Sequence, residues 1–264
     1  MKTYRLILAS ASPARLKTLE NAGLSPEVHP ADVDEAALLV DLRAAGTPPA
    51  GQVLGLARAK AQKIASDLAA GILDSSRPAT VDADVMPGVP GDAAVGKAPK
   101  SGEFSEKPGM APHEAAARPS PAARPTLVIG CDSMLEFDGE VLGKPHSPEV
   151  ARERVRALSG ASGVLHTGHW VVLLGSSSRG ASPESVGATE STVVHFEEFT
   201  PREIEAYVAT GEPLEVAGSF TIDGRGGAFI RGIEGDSHNV VGISLPCLRR
   251  LLGELGVFWP DLWV

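Results

Sequence analysis

No run of eighteen or more apolar residues occurs in the 264-residue chain, so no segment reads as a membrane-spanning helix. Met1 to Leu8 has none of the charged start, long apolar centre and cleavage site of an export signal; it reads as the entry to a core strand. Cysteine is scarce. Cys131 and Cys247 stand far apart, each in apolar surroundings, and read as two buried free thiols rather than a disulfide. Together these absences predict a cytoplasmic protein. Positive charge is also short: 24 Lys and Arg face 33 Asp and Glu, a net charge of −9. That argues against general nucleic-acid binding, which needs a basic surface. It leaves room for a small anion held by a few placed cations, or by a metal on carboxylates. Several catalytic signatures are missing too. There is no Gly-x-Ser-x-Gly elbow, Walker loop or dinucleotide fingerprint. The seven histidines show no metal-ligand spacing, and His166 and His169 lie in a strand context where a structural or exposed role is expected.

Hydrophobic residues make up 43% of the chain, enough for a sizeable core. The stretch 74–125 differs from the rest. It holds nine of the 21 prolines, has Phe104 as its sole aromatic residue, and shows no sustained apolar period. It reads as a disordered surface insertion in an otherwise single domain of residues 1–264. Gly175–Gly187, rich in Ser and Gly, reads as a second loop. Elsewhere strand and helix patterns alternate. Tyr4–Ala9 predicts a strand, and Pro13–Ala22 a helix with Ser12 as N-cap and Gly23 as its stop. Leu54, Ala57, Ala61, Ile64 and Leu68 give a helical stripe over Gly51–Ala69. Thr126–Gly130 predicts a buried strand, and Asp138-Gly139 a hairpin turn between Met134–Phe137 and Glu140–Leu142. A helix follows from Ser147-Pro148 to near Gly160, then strands over Gly163–Leu174 and Ala188–Phe199. Thr200-Pro201-Arg202-Glu203 is a capping box that opens a helix to about Thr210. Gly227–Ile233 and Asn239–Ile243 read as paired strands, and Pro246–Leu255 as a last helix. The sum is an α/β fold with a mixed sheet and flanking helices.

Four places carry side chains suited to phosphate or metal. Ser10-Ala11-Ser12-Pro13-Ala14-Arg15 joins a strand to a helix start, where free N–H groups, two hydroxyls and a guanidinium suit an anion. The same spacing also fits a plain cap at Ser12 with a solvated Arg15. Cys131-Asp132-Ser133 sets a carboxylate at the end of a buried strand, where it must be paired, hydrogen-bonded or metal-bound unless it caps a surface turn. Lys60 flanks its helix's apolar stripe while Lys63 points away, and Lys144 is fixed between Gly143 and Pro145. Asp32, Asp34 and Glu35 form an acidic loop from which one or two carboxylates could join Asp132 around Mg²⁺ or Mn²⁺.

In order along the chain, these pieces resemble the Maf family of nucleotide pyrophosphatases. The matching stretches begin with Leu8-Ala9-Ser10-Ala11-Ser12-Pro13-Ala14-Arg15, Leu56-Ala57-Arg58-Ala59-Lys60-Ala61 and Val128-Ile129-Gly130-Cys131-Asp132-Ser133. They continue with Asp138-Gly139-Glu140-Val141-Leu142-Gly143-Lys144-Pro145, Leu158-Ser159-Gly160, Glu205-Ala206-Tyr207-Val208-Ala209-Thr210-Gly211-Glu212-Pro213-Leu214, Ala217-Gly218-Ser219-Phe220 and Asn239-Val240-Val241-Gly242. The resemblance implies cleavage of nucleoside triphosphates between the α- and β-phosphates, to monophosphate and pyrophosphate, with Mg²⁺ or Mn²⁺. It implies an inosine triphosphatase-like fold, two lobes around a nucleotide-binding cleft, and a homodimer. By motif position, Ser10, Ser12, Arg15, Lys60, Ser133, Lys144 and Asp223 would bind substrate, Glu35 and Asp132 the metal, and Asp132 would be the general base. The departures from the family pattern are Ala14, Ser133, Val216 and Asp223. They leave the base open: neither strict thymidine/uridine nor strict 7-methylguanosine selectivity is expected. A second reading, a nucleotide-binding regulator of division or septum formation, differs in lacking useful turnover.

Overall fold

The computed structural model describes residues 4–73, 124–175 and 184–264. The stretch 74–125 lies outside the described residues except for Arg124 and Pro125, and most of the Gly175–Gly187 loop does as well. The described residues belong to one compact unit.

A seven-stranded mixed sheet runs through it. In chain order the strands are β1 (Arg5–Leu8), β2 (Glu27–Val28), β3 (Thr126–Phe137), β4 (Glu140–Leu142), β5 (Ser162–Leu174), β6 (Glu184–Phe196) and β7 (Ile230–Glu234). Their order across the sheet is β2-β1-β3-β5-β6-β7, with β4 hairpinned onto the end of β3. β1 pairs in parallel with β2 and β3, and the remaining pairs are antiparallel. The hairpin forms at Asp138-Gly139, both at positive φ (50° and 77°), as the two-residue turn of a right-twisted ribbon requires.

The helices are α1 (Pro13–Asn21), α2 (Glu35–Ala44), α3 (Pro49–Ala69), α4 (Pro148–Leu158), α5 (Pro201–Ala209), α6 (Ser237–Val241) and α7 (Leu245–Glu254). α1 and α7 cover one face of the sheet's first half. There Leu19, Leu248, Leu251 and Leu252 pack with Leu6, Leu8, Leu127, Ile129, Val171 and both cysteines. α3 covers the opposite face through Ala61, Ile64 and Ala65 against Ile7, Val128 and Val172. The thiols are free and buried as expected, and burial pushes them up, to about 12 for Cys131 and about 11 for Cys247.

Local signals held where a few neighbouring residues decide the outcome. Ser12 caps α1 by accepting from the Arg15 N–H, and Thr200 with Glu203 completes the capping box of α5. Five expectations need correction. Thr126–Gly130 and Met134–Phe137 are not separate strands: the β5 ladder pairs without a break, so β3 is continuous and Asp132 lies in its middle, opposite Gly168, rather than at a strand end. Asn239–Ile243 is not a strand: Asp236 accepts from the His238 N–H and starts α6, while β7 pairs with β6 instead. Glu184–Gly187 is not loop, because β5 runs to Leu174 and offers β6 a partner up to Leu173↔Glu184. The strand expected over Ala188–Phe199 stops at Phe196. The acidic loop is the start of a helix, with Asp34 as N-cap of α2 accepting from Ala37 N–H at 2.9 Å.

Candidate active site

The site forms where α3 crosses β3. Two glycines let the helix lie against the sheet. A Cβ on Gly130 would overlap the Ala57 carbonyl, and one on Gly168 of β5 would overlap the Val53 carbonyl. This close approach sets Lys60 in the middle of the buried face of α3, between Leu56-Ala57 and Ala61-Ile64, rather than on its flank. Lys63 points away and pairs with Asp67 at the surface.

Lys60 and Asp132 are 8% and 7% exposed, so neither charge is solvated on its own. Lys60 Nζ donates to Asp132 Oδ1 at 2.6 Å and lies 2.8 Å from Glu35 Oε1. Two carboxylates from β3 and the first turn of α2 thus meet at one ammonium. Burial pushes the Asp132 carboxyl above the usual carboxylate range, against the pull of the Lys60 and Arg15 charges.

Arg15, the third residue of α1, reaches across to Ser133 of β3. Its Nε donates to Gly242 O at 2.8 Å, Nη1 to Ser10 Oγ at 2.9 Å, and Nη2 to Ser133 Oγ at 3.0 Å. Gly242 is needed there. Its φ of +123° suits glycine, and a Cβ would come within 3.1 Å of Arg15 Nε. Ser133 continues inward to Thr167 Oγ1 at 2.9 Å, and Thr167 donates to the Asn239 carbonyl at 3.1 Å.

Of the residues singled out in the sequence, Ser10, Ser12, Arg15 and Ser133 form one contact group after the end of β1, and Lys60, Asp132 and Glu35 form another under α3; the two meet at the consecutive Asp132 and Ser133 in the middle of β3, which face opposite sides of the sheet. Lys144 and Asp223 are exposed, Lys144 just after β4 and Asp223 in the turn before Arg225–Phe229. Asp34 acts as a helix cap. Sequence reasoning missed Thr167, Asn239 and Gly242 as supports of Arg15. Asn239-Val240-Val241-Gly242 was visible as a motif, but nothing local says that it touches Arg15, 227 residues away. His169 is buried; its Nε2 accepts from the Ser244 N–H at 2.8 Å, and burial lowers its pKa to about 4. It is structural.

Fold and site together define an α/β protein with an anion-suited strand-to-helix turn beside paired carboxylates. The model of the family described as Maf-like protein matches residues 5–255. A nucleoside triphosphate pyrophosphatase of Nocardia farcinica is 41% identical over 261 residues, covering 99% of this chain and 97% of its own. One of Streptomyces avermitilis is 42% identical, covering 98% and 94%, and one of Mycobacterium ulcerans is 39% identical, covering 98% and 96%. The chain belongs to the Maf family.

Proposed function

We propose that this protein hydrolyses nucleoside triphosphates to the monophosphate and pyrophosphate, the activity for which its relatives are named. The observation that carries the reading is the meeting of Asp132 and Glu35 at the Lys60 ammonium, near enough to Arg15 for its charge to pull on the Asp132 carboxyl, while Arg15 keeps unused donors. Charge bookkeeping makes the point. Asp132 and Glu35 offset Lys60 and Arg15, so the cluster alone is not strongly positive and would attract a polyphosphate only weakly.

A divalent cation would change that balance, and the donors fit one. Asp132 Oδ1 and Glu35 Oε1 converge on the same ammonium, at 2.6 and 2.8 Å. Among the described residues no group of three or more His, Cys, Asp or Glu forms a closed cage. Mg²⁺, or Mn²⁺ in its place, takes one or two carboxylates and fills the rest of its shell with water and phosphate oxygens. Asp132 and Glu35 would hold it. When bound, it supplies the positive charge that the triphosphate and its transition state require.

The chain's own groups divide the remaining work. Ser10 and the free N–H bonds of Arg15 grip phosphate oxygens at the start of α1. Lys60 would add its ammonium charge to the phosphate side of the two carboxylates. Asp132 takes or orients the proton of the attacking water. Lys144 would add a further cation for the phosphates, and Asp223 would accept hydrogen bonds from the base. The working unit is a cytoplasmic homodimer.

The test is product analysis over a panel of normal and modified nucleoside triphosphates with Mg²⁺ and with Mn²⁺. Pyrophosphate release that depends on Asp132 is the expected result. Orthophosphate as the product would mean a phosphatase, and saturable binding without release would mean a nucleotide-binding regulator.

A further inference from the structure

The proton count in the hydrogen bonds behind Arg15 has a direction. Thr167 is wholly buried and owns one hydroxyl hydrogen, which it gives to the Asn239 carbonyl. At its contact with Ser133 it must therefore accept, which makes Ser133 the donor. With its hydrogen spent inward, Ser133 presents only a lone pair to the Arg15 Nη2–H. The chain runs one way: Arg15 to Ser133 to Thr167 to the Asn239 main chain. Ser10 is the opposite case. It accepts from both Arg15 Nη1 and the Ser12 N–H, so its own hydrogen is what it has to offer a ligand. Arg15 has five N–H bonds. Three acceptors hold it on three sides, and the remaining donors keep a set orientation.

Asn239 is itself anchored. Its side-chain Nδ2 donates to the Leu165 carbonyl at 3.3 Å and to Thr192 Oγ1 at 3.0 Å, which ties α6 across β5 and β6. A rigid sheet thereby sets the angle of a guanidinium on a different layer. We infer that Thr167 and Asn239 position Arg15 through Ser133, so that Ser133 serves the guanidinium and not the substrate. This revises the substrate-binding role expected for Ser133, and it rests on the reading of Arg15 as a phosphate ligand.

The test measures the affinity of the whole protein for a non-hydrolysable nucleoside triphosphate analogue with Mg²⁺, by calorimetry. Thr167→Val removes the relay without touching the surface, and Thr167→Ser restores it. Thr167→Val should weaken binding by on the order of tenfold, as the loss of one oriented charge-assisted bond implies. Thr167→Ser should stay within about twofold of the wild type. In the Arg15→Met background Thr167→Val should add nothing further, since its effect passes through Arg15. If Thr167→Val fails to fold, Ser133→Ala takes its place in the same cycle. Wild-type affinity in Thr167→Val, or a full additive loss on top of Arg15→Met, overturns the inference while the site reading stands. A wild-type protein that binds no triphosphate overturns the site reading and this inference together.

Discussion

Lys60 and Asp132 are not equivalent members of their pair. Removing the Asp132 charge leaves Lys60 with Glu35 at 2.8 Å, whereas removing the Lys60 charge strands a carboxylate that is 7% exposed. Breaking a buried pair so that one charge is unpartnered costs about 3–5 kcal/mol. Lys60→Met should therefore lower stability by about 3 kcal/mol in chemical unfolding, and Asp132→Asn by clearly less. For turnover the expectation differs. Asp132→Asn removes a proton acceptor, a loss typically of at least about a hundredfold, with the fold intact by circular dichroism. Pyrophosphate release within about twofold of the wild type would remove Asp132 from the chemistry. Glu35→Gln keeps shape and loses charge, so it should raise the Mg²⁺ concentration needed for half-maximal activity more than it lowers the maximum.

At the scale of elements, the position of α3 decides whether a site exists at all. Gly130 lies under the helix, and any side chain there meets the Ala57 carbonyl and the Ala61 backbone. Gly130→Val should push α3 away from β3, cost about 1–3 kcal/mol or more through overpacking, and lower activity by parting Lys60 from Asp132. Gly253 in α7 is the contrast. It is exposed, and an added Cβ meets nothing within 4 Å. Gly253→Ala should raise stability by about 0.5 kcal/mol and leave turnover unchanged. Melting curves and pyrophosphate assays on both variants separate a packing role from a generic effect of losing glycine.

For the whole molecule, the buried His169 couples stability to pH. It accepts from the N-cap residue of α7, and its pKa is lowered from 6.5 to about 4 by burial and by the nearby Arg15 charge. Between those values the unfolded chain holds a proton that the folded chain refuses. His169 thus contributes fully above pH 6.5, and its contribution falls as the solution is acidified towards pH 4. From pH 7.5 to pH 5 the loss amounts to about 2 kcal/mol. In urea unfolding, the stability lost between the two pH values should be about 2 kcal/mol greater in the wild type than in His169→Gln, whose side-chain oxygen still accepts from Ser244. Asp132 acts with the opposite sign, since its raised pKa favours the folded state on acidification; the comparison with His169→Gln isolates the histidine.

Capped helix starts at Ser12, Ser147 and Thr200, the Asp138-Gly139 turn and the long apolar period of α3 were all legible from neighbours in the chain, because those interactions close within a few residues. So were the residue types of the site, which chemistry limits to carboxylates, hydroxyls and cations. α6 was not legible, since Asn239-Val240-Val241 suits a strand locally and becomes helical where Asn239 is buried between β5 and β6. Nor could the chain order show that Lys60 faces Asp132 across 72 residues, or that Ser133 turns its proton inward to Thr167. Those facts depend on which backbone comes close to which. Two glycines under one helix and a seven-stranded sheet decided them, through contacts that exist only once the chain has folded.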